Sequence, residues 1–342
     1  MSKIRRYCNN HYTTVLYSYV NGNHRTYIFS NGTRIRTLRN PFSRKLTFDF
    51  AENCDVKITN YCDANCKYCH EGSSKKGKHG TLYENGKLLN IFETWKKGTE
   101  MAIGGGNALD HPELYKFLTE MAIKGVVCNL TVNQKHLVSH ADKLKFLIKG
   151  HLIKGLGISL NTPPSKEETE VIEELKKLTS NIIFHVIVGI YDAWMMEYLE
   201  GQKVLILGYK DNVGRGIKFK EKNGDVLDHF KDLLIKHLDM VRNLKLRWGF
   251  DYYETLSFDN LAIKQLDVKN VLKLSDREWK KRFQGKDYGD PNGENAPSTF
   301  YFDAVKKEIA RSSTQPLEQR IPYNNQTYEE AFKASLSNYD KE

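Results

Sequence analysis

Three cysteines within one short run, Tyr61-Cys62-Asp63-Ala64-Asn65-Cys66-Lys67-Tyr68-Cys69-His70, are the side chains of this protein best suited to hold a metal. Thiolates are soft ligands that suit zinc or iron–sulfur clusters. With His70 as a fourth ligand the run would make a closed Cys3His zinc site, although adjacent ligands such as Cys69 and His70 are awkwardly spaced for a tetrahedron. With the three cysteines alone, a [4Fe–4S] cluster would keep one iron free of protein ligands and open to a small molecule. The bland alternative is three unrelated core cysteines, which rarely gather so closely. Cys8, Cys54 and Cys128 are scattered and read as packing residues, and six cysteines in 342 residues are too few for a disulfide framework.

The elements that must carry this run follow from hydrophobic periodicity. Short apolar runs at Val56 to Thr59, Met101 to Ile103, Val126 to Val132, Leu156 to Leu160, Ile182 to Val188 and Val204 to Leu207 alternate with helical patterns. Strands alternating with helices predict an α/β fold with a parallel sheet. Six such units suit a partial (β/α)6 TIM-like barrel, with a doubly wound sheet as the alternative. The cysteine run then follows the first strand, at the sheet end where barrel enzymes keep their reactive groups. Asp110-His111-Pro112-Glu113 reads as a helix start, and Ser165-Lys166-Glu167-Glu168 as a capping box. A longer amphipathic helix is expected from Asp225 to Arg242.

Before the barrel, Thr13 to Val20 and Thr26 to Ser30 flank Asn21-Gly22-Asn23, a hairpin signal. After it the alternation fades into a short helix near Asp276, a loop from Gly285 to Pro297 and a hairpin around Thr299 to Ser312. The expected organisation is an N-terminal β-hairpin cap over residues 1–50, the partial barrel over 51–243, and an α+β C-terminal extension or lid over 244–342.

Composition sets outer bounds. The formal charge is +10, with 40% hydrophobic and 27% charged residues, which is ordinary for a globular chain and excludes disorder and fibre. Apolar stretches fall short of the roughly 18 residues that span a bilayer, and Met1 to Val20 lacks a signal-peptide core, so a soluble, cytoplasmic protein without membrane contact is expected.

Cys62-x3-Cys66-x2-Cys69 with Tyr68 before the last cysteine resembles the signature of the radical S-adenosylmethionine (radical SAM) superfamily. In that family the three cysteines hold a [4Fe–4S] cluster, the unique iron chelates S-adenosylmethionine, and the aromatic packs near adenine. The resemblance therefore implies that Cys62, Cys66 and Cys69 are metal-binding and catalytic, with Tyr68 beside the cofactor. Gly104, Gly105, Gly106 and Asn107 are similar to the family's Gly-Gly-Glu-Pro segment, which holds the methionyl amino group. Here Asn107 stands where an acid is common and Ala108 replaces the proline. Thr131 and Asn133 resemble the polar end of the third strand, Ser159 and Asn161 that of the fourth, and Gly189 the fifth-strand segment beside adenine. The implied chemistry is reductive cleavage of S-adenosylmethionine and hydrogen abstraction from an unreactive C–H bond, fed by an external donor such as flavodoxin or ferredoxin.

No motif names the substrate. Candidate polar groups at strand ends are His185, Tyr209, Lys210, Asn212, Arg215, Asp251, Tyr253 and Glu254. The positive charge suits an anionic substrate, a nucleotide or nucleic acid, and the basic loop Ser73 to His79 suits the same or an acidic donor. Peptide modification is the alternative substrate class. A rival from another class is a zinc-stabilised, basic nucleic-acid-binding protein.

Overall fold

A computed structural model describes residues 13–30, 32–43, 45–210, 214–223, 226–248, 252–282 and 297–337. Cys8, Asn212, Asp251 and the loop from Gly285 to Ala296 lie outside them. The amino-terminal runs form an antiparallel sheet of β1 (Val15–Asn21), β2 (His24–Phe29) and β3 (Arg34–Leu38), turning at Gly22 as its positive φ of 54° requires. Then come β4 (Asn53–Thr59) and a two-stranded hairpin of β5 (Tyr83–Glu84) and β6 (Lys87–Leu88). They are followed by β7 (Glu100–Gly105), β8 (Val127–Asn133), β9 (Gly155–Leu160), β10 (Ile182–Ile187), β11 (Lys203–Leu207) and β12 (Thr255–Phe258). Last are β13 (Thr299–Asp303), β14 (Glu308–Ala310) and β15 (Ile321–Pro322).

All six expected strands are present, and two more run parallel with them. The order of the large sheet is β12-β11-β10-β9-β8-β7-β4-β13-β14-β15. Every pairing from β12 to β13 is parallel, and β14 and β15 add antiparallel. Among the described residues this sheet does not close into a barrel, since β12 and β15 form its edges. The order from β4 to β12 also advances in one direction, without the reversal that defines a doubly wound sheet. Right-handed crossovers that always step the same way carry their helices to one face. That face is apolar: Val56, Ile58, Ile103, Leu130, Ile158, Val186 and Ile206 are buried in the main core with Leu114, Phe117, Leu118 and Met121 of the helix Leu114–Ile123. Cys54 and Cys128 are buried as packing residues.

Two local expectations had different outcomes. Ser165 forms the capping box with Glu168. Asp110 does not cap the helix that follows it: its carboxylate accepts from Asn107 and meets His140, and the α-helix begins at Leu114. The longer helix is observed over Val226–Trp248.

Glu52, at the start of β4 and fully buried, ties the amino-terminal sheet to the large one. His24 Nε2 (3.1 Å) and Thr26 Oγ1 (2.5 Å) on β2 meet one carboxylate oxygen, and Arg36 Nε on β3 donates to the other at 2.7 Å. Burial alone would raise the Glu52 pKa, but the hydrogen bond from His24 and the guanidinium groups of Arg36 and Arg34 bring it down from 4.5 to about 2. A depressed carboxylate pKa contributes stability that is complete above the unfolded value and is lost as pH falls through 4.5 towards about 2. At about 1.4 kcal/mol per pKa unit this is on the order of 3 kcal/mol. Denaturant titrations from pH 7 to pH 3 are expected to show that loss, and Glu52→Gln is expected to be less stable at pH 7 and to lose less on acidification.

Candidate functional site

The cysteine run leaves β4 and is folded by short-range constraints into a compact loop. Cys69 N–H donates to Cys66 O at 3.3 Å, Gly72 N–H to Cys69 O at 3.2 Å, and Asn65 takes a left-handed φ of 48°. All three thiols are half-buried. The glycine segment after β7 latches this loop: Gly106 N–H donates to Thr59 O at 2.7 Å and Asn107 N–H to Tyr61 O at 2.6 Å. A Cβ on Gly106 would lie 2.1 Å from Tyr61 O, so the close approach requires glycine.

Arg215 clamps the other side. Its Nε donates to Cys66 O and its Nη2 to Ser73 O, both at 2.9 Å, and its backbone N–H donates to Cys69 O at 2.9 Å. Two carbonyl oxygens held by one planar guanidinium define the path of the chain between them. Arg215→Ala is therefore expected to speed amide hydrogen exchange at Cys69 and Gly72 several-fold, with Arg215→Lys only partly restoring protection. Exchange equal to the parent would remove this role.

Thiol spacing bears on which metal the loop suits. Around one zinc ion, Zn–S bonds of about 2.3 Å put thiolates roughly 3.8 Å apart. Among the described residues, the one group of three with ligand atoms within 4.8 Å of one another is Cys62, Asp63 and His136, so the three cysteine sulfurs stand wider than a single ion needs. Nor does His70 turn to them: its Nε2 lies 3.3 Å from Glu71 Oε1 and 3.2 Å from Lys210 Nζ. Three spaced soft thiolates without a fourth protein ligand fit an iron–sulfur cluster with one open iron better than a Cys3His zinc site.

The other expected positions fall into three groups. Gly104, Gly105, Thr131 and Ser159 line a cavity of about 2530 Å³ on the face of the sheet opposite the main core. A Cβ on Gly104 would meet no atom within 4 Å, so that strand end is open to a ligand. Tyr68, Asn161 and Asn133 form a chain: the Tyr68 hydroxyl donates to Asn161 Oδ1, and Asn161 Nδ2 donates to Asn133 Oδ1 at 3.1 Å. This chain joins the cysteine loop to the carboxyl ends of β8 and β9. Asn107 and Gly189 stand apart from the cavity lining. Asn107 is buried, accepting from Leu109 N–H at 3.3 Å and donating to Asp110 Oδ2 at 2.7 Å, while Gly189 supplies a turn at φ 75° after β10.

Period-two alternation places several polar groups in the cavity wall. One face of the strands is buried in the main core, and the other presents Lys57, Gly104, Thr131, Ser159 and His185 together with the apolar Ile183, Leu205 and Leu207. Gly157 leaves room for the His185 ring, whose Cε1 would be 2.4 Å from a Cβ there. Burial lowers the His185 pKa to about 4, so its imidazole is neutral at pH 7.

Sequence reasoning missed an ion network in this lining. Lys57, only 4% exposed, lies 2.6 Å from Glu71 and 3.1 Å from Asp303, and Tyr301 reaches Glu71 at 3.5 Å. Alternation in β4, where Lys57 stands between Val56 and Ile58, was an available signal for Lys57. Asp303 had none, because its proximity depends on β13 pairing with β4. Lys210 Nζ donates to Ser313 Oγ at 2.8 Å beside the cavity, and among the described residues no carboxylate lies within ion-pair distance of it.

Residues 56–200 match the model of the radical SAM superfamily. No curated protein matches the chain. Among solved structures it resembles Streptococcus suis SuiB bound to S-adenosylmethionine, at 12% identity over 77% of this chain and 60% of that one, with a TM-score of 0.46. It also resembles SuiB bound to the precursor peptide SuiA, at 11% identity over 77% of this chain and 59% of that one, with a TM-score of 0.45. The chain thus spans about 60% of the SuiB chain it matches.

Proposed function

Residues 56–200 belong to the radical SAM superfamily, and from that premise we propose that Cys62, Cys66 and Cys69 hold a [4Fe–4S] cluster whose open iron takes S-adenosylmethionine. The observation that carries this reading is the latched loop of three thiols, which continues into His70 and Glu71 in the wall of a large cavity. When bound, the two groups supply one-electron reduction and hydrogen abstraction from an unreactive C–H bond. The chain's own residues orient and enclose. Gly104 and Gly105 let the cofactor approach the backbone of β7, Thr131 and Ser159 offer hydroxyls from β8 and β9, and the Tyr68–Asn161–Asn133 chain holds the loop against those strand ends. In this reading the sheet is a partial barrel curled around the cavity, and the C-terminal extension contributes Tyr301 and Ser313 to its wall.

The substrate proposed is anionic, a nucleotide or nucleic acid, because Lys210 lines the cavity with Ser313 and His70 as its contacts and, among the described residues, no carboxylate within ion-pair distance. A second reading, peptide modification, is favoured by cavity size: about 2530 Å³ exceeds the roughly 300–1,000 Å³ of ordinary small-molecule sites. Exposed Lys75, Lys76 and Lys78 just beyond the loop suit docking of an acidic electron donor such as flavodoxin or ferredoxin. No helix among the described residues is long and apolar enough to cross a membrane.

Anaerobic reconstitution with iron and sulfide tests the reading. About four irons per chain, a brown chromophore and 5′-deoxyadenosine on adding dithionite and S-adenosylmethionine are expected. A colourless chain binding one zinc and indifferent to S-adenosylmethionine would overturn it.

A further inference from the structure

His136 lies 74 positions from Cys62 in the chain, yet its Nε2 is 3.6 Å from the Cys62 sulfur. Its Nδ1 faces the Asp63 carboxylate at 3.4 Å. Each ring nitrogen thus lies nearest a different partner. The ring is only 4% exposed and sits at the end of the 3-10 turn Gln134–His136, which opens directly from β8. That turn is fixed from both sides. Gln134 Oε1 accepts Asn161 N–H at 2.5 Å, and His140 N–H donates to His136 O at 3.1 Å. His140 packs edge-on against the ring at 6.1 Å between centroids and is itself held by Asp110 at 2.9 Å. An orientation determined by so many contacts is not that of an idle side chain.

We propose that His136 is a positioning residue for the cluster, donating its Nε2 N–H to the Cys62 sulfur. The inference rests on the cluster assignment above. A neutral imidazole carries one ring N–H, and an iron-bound thiolate only accepts hydrogen bonds, so the Nε2 tautomer places that N–H on the Cys62 sulfur. Hydrogen bonds to ligand sulfurs are among the factors that set cluster potential, and outer-shell partners of metal ligands tune both potential and affinity. A donor at this sulfur stabilises the more negative, reduced cluster. His136 therefore makes the cluster easier to reduce by the external donor.

Redox titration of the anaerobically reconstituted chain, followed by electron paramagnetic resonance and with iron per chain measured in parallel, tests this directly. His136→Ala is expected to keep its iron while the ratio of reduced to oxidised cluster at a fixed potential falls about tenfold, which for a one-electron couple is about 59 mV. His136→Gln, which can still present an N–H, is expected to stay nearer the parent. Parental iron and parental potential in His136→Ala overturn the proposal, as does a His136→Gln displaced as far as the alanine variant. If His136→Ala loses its iron, His136→Gln decides: parental iron and potential support the donor role, and equal iron loss reduces His136 to packing and overturns it. A parent that takes up no iron overturns the cluster assignment itself, which separates that failure from this one.

Discussion

Replacing Cys66 with alanine is expected to abolish 5′-deoxyadenosine formation, bringing it to the level of a protein-free control in the presence of dithionite and S-adenosylmethionine. The same holds for Cys62→Ala and Cys69→Ala, because a cluster with three protein ligands has none to spare. The effect is on chemistry rather than on the fold. Cys66 is half-buried, and its loop is also held by backbone bonds through Gly106, Asn107 and Arg215 that do not involve the thiol. Cys54→Ala and Cys128→Ala provide the contrast. Both sulfurs are buried in the apolar core, and burial raises their thiol pKa values, so they remain protonated packing groups. These variants are expected to lose some stability while retaining parental iron and parental product. Iron content and product chromatography separate the two sets. Full product from any one of the three loop variants would remove that cysteine from the ligand set.

Lys57→Met is expected to give the largest loss of stability. It leaves the Glu71 and Asp303 carboxylates buried without the ammonium between them. Removing one partner of a buried ion pair typically costs about 3–5 kcal/mol, and here the carboxylates would keep His70 and Tyr301 at Glu71 and the more distant Arg320, 3.9 Å from Asp303. In the parent, burial would raise the Glu71 pKa, but the hydrogen bond from His70 and the Lys57 cation hold it well below the usual carboxylate range. Its contribution therefore persists well into acid before being lost as pH falls through the depressed value. Without Lys57 the buried carboxylates bind protons more readily, so the deficit of Lys57→Met is expected to narrow as pH falls from 7 towards 5. Denaturant midpoints across that range measure it. Restoring neutrality with Glu71→Gln and Asp303→Asn in the same chain is expected to recover most of the loss, and no recovery would assign the effect to packing of the lysine stem.

Much of this site was legible in the residues themselves. The cysteine run and its place after the first strand could be read directly, since ligand spacing and strand periodicity are local properties. Thr131 and Ser159 came from the resemblance to the family's third and fourth strand ends, and both line the cavity. Asn107 shows where local reading ended. Its position in the glycine segment marked it as a cofactor contact, but its amide is turned inward to Leu109 and Asp110. A helix start expected at Asp110 moved for the same reason, because the Asp110 carboxylate is engaged by Asn107 and His140 instead. The choice between barrel and doubly wound order also lay beyond periodicity, which sets the number of strands but not the order in which they pair.

From its sequence alone, this protein was bound to form parallel strands alternating with helices, and to present three thiols where the first of them ends. Both features arise within a few residues, from side-chain alternation and turn geometry. Only the tertiary structure decided what meets those thiols and what closes the cavity. It brings His136 to Cys62 across 74 positions, Arg215 to the carbonyls of Cys66 and Ser73, and Asp303 to Lys57 by pairing β13 with β4. Such contacts depend on which strands become neighbours, and that is settled by burial of apolar area over the whole sheet, a sum that no local run of residues contains.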